Sequence, residues 1–132
     1  MTKDKALHAW FNSAVHMPPG GEGFIPFYTS ASVPEDAVFP WGTYELVTGA
    51  WGDGELGMTV NLWFYTEGEA APNAAAAELA QKIGLGGITI PCDEGLIWLK
   101  RGNPWCQSVR DETDANIKRR YINVTAEFFT LF

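Results

Sequence analysis

The residues that could do chemistry in this chain are few, and their spacing matches no catalytic motif. Asp111, Glu112 and Asp114 crowd one short stretch, and carboxylate oxygens are the ligands that hard cations prefer. The stretch lacks the D-x-D-x-D-G pattern of a calcium-binding loop. Basic residues flank it at Arg110 and at 118–120. A charge-balanced turn, or a charged face that meets a copy of itself, is the simpler interpretation.

The two histidines and two cysteines do not suggest a site either. His8 and His16 lie eight residues apart, two turns of a predicted helix, which is too far for the pair to share a metal ion. Cys92 and Cys106 form no C-x-x-C motif, and two free thiols are the expected state. The glycines form neither G-x-G-x-x-G nor a phosphate-binding loop. We therefore predict no enzymatic activity, no cofactor and no metal site.

The composition predicts one globular domain over residues 1–132, with an uneven charge. Residues 1–81 hold ten acidic and two basic residues, whereas residues 82–132 hold six acidic and seven basic ones, for a net charge of −7. Binding to duplex DNA requires a basic surface, which an acidic chain does not favour. Six tryptophans are many for one small core, so some are expected at an interface. The sequence shows no apolar segment typical of a signal peptide or a membrane span.

The elements that must position these residues are clearest in the segment 117–129, where apolar and polar residues alternate. One face carries Ile122, Val124, Ala126 and Phe128. The other face carries Arg119, Tyr121, Asn123, Thr125 and Glu127. This period of two predicts a half-buried strand. A strand of this length is expected inside an antiparallel sheet, because at an edge its amides would be unpaired.

Two helices are predicted to pack against that sheet. The first follows an N-cap at Thr2, and its apolar residues recur at three- and four-residue spacings as far as Val15. The second follows an N-cap at Asn73, continues through 74–83 and ends at Gly84, a residue type that favours helix C-termini. Between the helices, a hairpin is predicted to pair 41–47 with 58–66 through a glycine-rich connection that carries Trp51.

The remaining segments complete a predicted α+β domain. A second hairpin pairs 87–91 with 96–100, and a break at 101–104 separates it from a short extended piece at 105–110. The stretch 20–37 is predicted as a long exposed or semi-ordered loop. The predicted fold class is therefore α+β, a mainly antiparallel β-sheet with two helices packed on one face.

Three stretches of the chain carry a resemblance to a known family. They are V-P-E-D-A-V-F-P-W-G-T-Y-E-L at 33–46, D-E-G-L-I-W-L-K-R-G-N-P-W-C-Q at 93–107, and D-E-T-D-A-N-I-K-R-R-Y-I-N-V-T-A-E-F at 111–128. Together they resemble the tail-completion, or tail-terminator, proteins of long-tailed bacteriophages and prophages. The segment 18–23 and the aromatic residues that follow match no pattern of that family, so the resemblance assigns no role to the predicted loop.

The resemblance implies a non-enzymatic virion protein that forms a ring, commonly a hexamer. Such a ring caps the tail tube, stops its growth and offers a surface to the head–tail connector, while DNA only passes through the lumen. The implied location is the tail or neck of the virion, and the host cytoplasm during assembly. Ring closure requires two different patches on each subunit. The candidate interface residues are Tyr28, Trp51, Arg119, Tyr121 and Glu127.

Two other functions agree with the same residues. The nearer is another neck component, such as a head–tail connector or a minor capsid protein. The more distant is a small enzyme or ligand-binding domain with an aromatic pocket lined by residues such as Trp63, Trp98 and Trp105. A deep pocket with convergent polar groups would favour the second function, whereas a flat patch rich in tryptophan would favour assembly.

Overall fold

The computed structural model describes residues 1–46, 51–52 and 54–130, which form two helices and eight strands. The helices are α1 (Lys3–Phe11) and α2 (Ala70–Ile83). In chain order the strands are β1 (His16–Met17), β2 (Gly23–Phe24), β3 (Phe27–Thr29), β4 (Trp41–Leu46), β5 (Leu56–Tyr65), β6 (Ile88–Cys92), β7 (Gly95–Arg110) and β8 (Ile117–Thr130). The predicted extension of β4 to Val47, and residues 48–50 and 53 of the connection after it, lie outside the described residues.

Six of the strands form one sheet in the order β3-β4-β5-β8-β7-β6. All neighbouring pairs are antiparallel except β3 and β4, which are parallel. β8 lies inside this sheet, paired with β5 on one side and β7 on the other, as its length predicts. The remaining strands, β1 and β2, form a small antiparallel hairpin of their own.

The core lies between one face of the sheet and the two helices. Ile122, Val124 and Ala126 of β8 are buried there, beside the even-numbered residues of β5. The ring of Phe11, from α1, stacks on Tyr44 of β4 with centroids 4.9 Å apart. The predicted α+β class, with a mainly antiparallel sheet and both helices on one face, is confirmed.

Both helices differ from the prediction at one end. α1 begins at its predicted cap, where Thr2 Oγ1 accepts a hydrogen bond from the Lys5 amide, but it ends at Phe11 rather than near Val15. α2 ends at Gly84 as predicted but begins at Ala70, one turn before the predicted Asn73 cap. The side chain of Asn73 instead accepts hydrogen bonds from Arg120 of β8, a contact that only the packing of α2 on the sheet provides.

The stretch predicted as a long loop contains two short strands, while residues 30–37 stay mostly exposed and lie in neither helix nor strand. It contributes β2 and β3, and Phe27 of β3 is fully buried because β3 extends the sheet beside β4. The predicted break at 101–104 does not end the strand, although the pairing of β7 with β8 is irregular at this place. β7 continues from Gly95 to Arg110 through a bulge between Arg101 and Cys106, because β8 is long enough to pair with both of its halves.

Candidate assembly surface

The sheet face opposite the helices is covered by neither helix, and we call it the open face. It consists of the outward-pointing residues of strands β3 to β8, since side chains alternate along each strand. On β5 and β8 these are the odd-numbered residues, which are mostly half-buried, whereas their even-numbered neighbours form the core. The open face therefore presents the mixed surface that the alternation of β8 predicts.

Aromatic rings and one guanidinium form a row across four neighbouring strands of the open face. The members of this aromatic–arginine row are Tyr28, Trp41, Trp63, Arg119 and Tyr121. Because strands lie about 4.8 Å apart, the row crosses roughly 14 Å of the sheet. The register places Trp41 opposite Trp63, and Trp63 opposite Arg119.

The two tryptophans at the centre of the row stack on each other. The ring centroids of Trp41 and Trp63 are 4.3 Å apart, with an angle of 20° between the ring planes. Tyr28 lies 6.5 Å from Trp41 on one side. Phe39 extends the cluster toward the sheet end, 6.3 Å from Trp41 and 5.9 Å from Tyr65. Next to this cluster, Asn61 of β5 is only 8% exposed although it belongs to the open face, where it lies opposite Thr43 and Tyr121.

Arg119 is held in place within this row. Its Nε donates a hydrogen bond to Asn61 Oδ1 over 2.9 Å. Its guanidinium carbon lies 5.5 Å from the Trp63 ring centroid and 5.8 Å from that of Tyr121. Such cation–π contacts contribute about 0.5–1 kcal/mol each at exposed sites. A half-buried arginine that is oriented in advance loses little side-chain entropy on binding, as interface hot spots require.

The structure brings three of the five candidate residues together and separates the other two. Tyr28, Arg119 and Tyr121 belong to the aromatic–arginine row. Glu127 shares the open face but lies eight residues from Arg119 along β8, about 26 Å away at ~3.3 Å per residue, and faces Trp98. Trp51 is half-buried and packs against the core rather than joining the row.

Trp41 and Asn61 are members of this site that the sequence prediction missed, and Trp63 was assigned to a pocket instead. The alternation of residues along β5 already indicated the positions of Trp63 and Asn61. Within β5, the apolar stripe is even-numbered, so Trp63 falls on the polar side with Asn61. A large apolar ring on the polar side of an amphipathic strand indicates either a covering element or an interface.

The tryptophans proposed for an aromatic pocket do not share a cavity. Trp63 lies opposite Arg119, and Trp98 lies opposite Glu127, so most of the length of β8 separates them. Trp105 packs against the core instead. Within the described residues, this arrangement offers no pocket that the three indoles line together.

An apolar groove of about 240 Å³ lies elsewhere, between the β1–β2 hairpin and the N-terminal half of α2. Its walls include Pro18, Pro19, Ile25, Phe39, Phe64, Ala71, Ala74 and Ala75. Its main polar feature is a pair: the His16 amide donates to Glu78 Oε1 over 3.0 Å, and the His16 ring bonds the other carboxylate oxygen. Burial raises the pKa of Glu78, but the hydrogen bonds from His16 outweigh burial and hold that pKa below its usual range.

The charged residues near the β7–β8 turn are paired internally. Arg120, 3% exposed, bonds Glu69 and Asn73 and so ties α2 to β8. The hydrogen bond from Arg120 lowers the pKa of Glu69. The carboxylate of Asp111 accepts hydrogen bonds from the hydroxyl and amide of Thr113 and from the amide of Asp114. These hydrogen bonds hold the pKa of the Asp111 carboxyl below its usual range. The acidic turn thus stabilises its own backbone.

The described part of the chain contains no group of three or more histidine, cysteine or acidic side chains arranged to hold a metal ion. Cys92 and Cys106 are both half-buried and free, and burial raises the pKa of the Cys106 thiol. Among the described residues, neither helix has the length and apolar character needed to span a membrane.

Comparison with known proteins finds a similar fold among solved structures. No protein-family model matches the chain, and a search of curated proteins finds no match. Among solved structures, a chain in the virion of a native gene transfer agent particle has a similar fold. The TM-score is 0.56, the sequence identity is 17%, and the match covers 77% of each chain. At this identity the likeness establishes a shared fold.

Proposed function

We propose that this protein is a non-enzymatic structural component of a phage-like virion, and within it a subunit of the ring that terminates the tail. Three observations support the proposal. The fold is shared with a chain of a virion, the sequence resembles tail-terminator proteins, and the open face carries the aromatic–arginine row. The aromatic–arginine row is the main support for the proposal. Half-exposed tryptophans beside an oriented arginine form the kind of cluster that dominates binding energy at protein interfaces.

The proposed partners follow from this function. One is a second copy of the chain, in a ring that is commonly hexameric in the family that the sequence resembles. The others are the tail tube protein below the ring and the head–tail connector above it, with DNA only passing through the lumen. The net charge of −7 suits such a lumen, since an acidic wall repels the phosphate backbone. The proposed location is the neck of the virion, after assembly in the host cytoplasm.

The first experiment is the solution mass of the purified protein by light scattering across a concentration series. Growth from a monomer toward a closed ring supports the proposal. The decisive step adds growing tail tubes of the same particle and measures tube length by electron microscopy. Tubes that stop growing, with this protein at one end only, support the terminator function, and tubes whose length distribution is unchanged refute it.

A matched pair of variants tests the surface itself. Arg119→Glu reverses the one charge of the aromatic–arginine row, whereas Lys5→Glu makes the same change at an exposed position on α1. We expect the first variant to lose tube capping and the second to retain it. Equal activity of the two variants would show that the row is not the contact.

A head–tail connector or another neck component is the second candidate, because the matched chain belongs to a complete particle and the fold alone does not specify a position within it. The two functions differ in which neighbour the protein binds first. A terminator binds the tail tube in the absence of heads, whereas a connector binds filled heads in the absence of tails.

A further inference from the structure

Leu85 is the most exposed large apolar side chain among the described residues, with 97% of its surface accessible. It occupies a tight turn directly after α2, between Gly84 at φ 79° and Gly87 at φ 83°. The amide of Gly84 bonds the Ala80 carbonyl over 2.9 Å, and the amide of Gly87 bonds the Gly84 carbonyl over 3.4 Å. The leucine therefore projects from a turn that is fixed to the helix end. A single exposed leucine is normal on a protein surface, and it indicates an interface only where a matching apolar site is available.

The site that matches Leu85 is the apolar groove near the other end of the same helix. Ala71, Ala74 and Ala75 of α2 form one of its walls, and Phe64 and Pro18 contribute apolar surface from the sheet and the hairpin. Its volume of about 240 Å³ exceeds the volume of one leucine side chain. At 1.5 Å per residue, the helix separates Leu85 from Ala74 by roughly 16 Å. A chain therefore cannot fill the groove with its own leucine, but a neighbouring copy can.

The charges around the two sites are complementary. Lys82 is exposed in the last turn of α2, one helical turn before Leu85. At the groove, Glu67 is exposed just after Thr66 of the groove wall, whereas Glu78, which also borders the groove, is paired with His16 of its own chain. Attraction between Lys82 of one copy and Glu67 of the next favours a head-to-tail arrangement.

We propose that the turn bearing Leu85 inserts into the apolar groove of a neighbouring copy, so that α2 supplies both halves of the subunit contact. The proposal rests on the ring function above and names the contact that closes the ring. A contact between two different patches is heterologous, and it generates a closed ring when the rotation between subunits divides a full turn. The open face then remains available for the tail tube or the connector.

Cross-linking tests the geometry directly. One batch of protein carries Leu85→Cys and a second carries Ala74→Cys, in the groove wall, and the two are mixed under mild oxidation. We expect an intermolecular disulfide that joins positions 85 and 74, identified by mass mapping of the peptides. The matched control pairs Leu85→Cys with Ala77→Cys, which is exposed on α2 but outside the groove. A bond to position 77 as abundant as the bond to position 74 would overturn the proposal.

The energetic test uses Leu85→Asp and, as a control of equal charge, Ser32→Asp in an exposed loop. Leu85 has no contacts to lose in the monomer, so thermal unfolding of the dilute protein should be unchanged. Association measured by light scattering should weaken about 10- to 150-fold, the equivalent of losing one buried leucine. Ser32→Asp should associate like the parent protein.

The outcomes separate this inference from the proposed function. If the parent protein caps tail tubes but Leu85→Asp associates and caps equally well, the leucine contact is wrong and the terminator function stands. If Leu85→Cys and Ala74→Cys cross-link as expected but the parent protein never caps tubes, the contact is correct and the terminator function is wrong. If the two cysteine variants form no cross-link at any concentration, free or on tubes, the contact is wrong.

Discussion

Replacing Trp63 by alanine should weaken assembly far more than it weakens folding. In the monomer, the indole stacks on Trp41 with centroids 4.3 Å apart and lies 5.5 Å from the Arg119 guanidinium. The stack contributes about 0.5–1.5 kcal/mol beyond area burial, and the cation–π contact about 0.5–1 kcal/mol. Because the ring is only half-buried, the expected loss of unfolding free energy is about 1–3 kcal/mol.

The loss in assembly should be larger because the same ring is expected to become fully buried between proteins. A central tryptophan of an interface typically costs at least ~2 kcal/mol when it is truncated, which is about 30-fold or more in the dissociation constant. Truncation of Trp63 also removes one of the two rings that orient the Arg119 guanidinium. The interface would then lose a well-oriented hydrogen-bond donor as well as buried apolar area. Urea unfolding measures the first quantity, and tube capping at a series of protein concentrations measures the second.

Trp10→Ala is the matched control for this prediction. Trp10 is also half-buried, and its ring packs edge-on against Phe11 at 5.0 Å, but it belongs to α1 on the other side of the sheet. It should cost similar unfolding free energy and leave assembly unchanged under conditions where both variants are folded. If the two substitutions weaken assembly equally, then monomer stability explains the effect and the aromatic–arginine row is not an interface.

Three further predictions follow from the structure. Gly42→Ala should lower the unfolding free energy by about 1–3 kcal/mol in urea titrations, because a Cβ at this position would lie 2.5 Å from the Phe27 ring. The control Gly52→Ala, with open space around the added methyl group, should leave the unfolding free energy unchanged. Glu78→Gln should flatten the loss of stability in acid, as measured by thermal unfolding scans. A lowered native pKa stabilises the fold above the unfolded pKa, and this stabilisation is lost as pH falls through the native pKa, so parent and variant should converge once the pH is below the native pKa. Arg119→Met should reduce the salt dependence of tube capping without unfolding the monomer, and an unchanged dependence would place the charge outside the contact.

The predicted role of Trp51 is refined by its position. As a candidate interface residue, Trp51 is predicted to contribute to assembly. Because the ring packs partly against the core, its removal should also lower monomer stability, so only an assembly defect beyond that of Trp10→Ala would indicate an interface role.

The sequence by itself determined the elements whose signals are local. The alternation in 117–129 identified both faces of β8, since a strand turns its side chains to opposite sides with a period of two. Gly84 marked the end of α2 because a positive φ costs glycine little. Thr2 marked the start of α1, since its side chain satisfies an amide that the helix leaves unbonded. The α+β class followed from the order of these elements.

The tertiary structure alone decided the features that depend on distant partners. β7 passes the predicted break at 101–104 because β8 supplies hydrogen bonds on both sides of the bulge, and β3 is a strand because β4 lies beside it. Trp41, Trp63 and Arg119 become neighbours only through the register of three strands that are remote in sequence. The apolar groove likewise joins a hairpin, a strand and a helix. Local patterns encode periodicity and caps, whereas pairing partners and registers are selected by the packing of the whole chain, which is why the site required the structure.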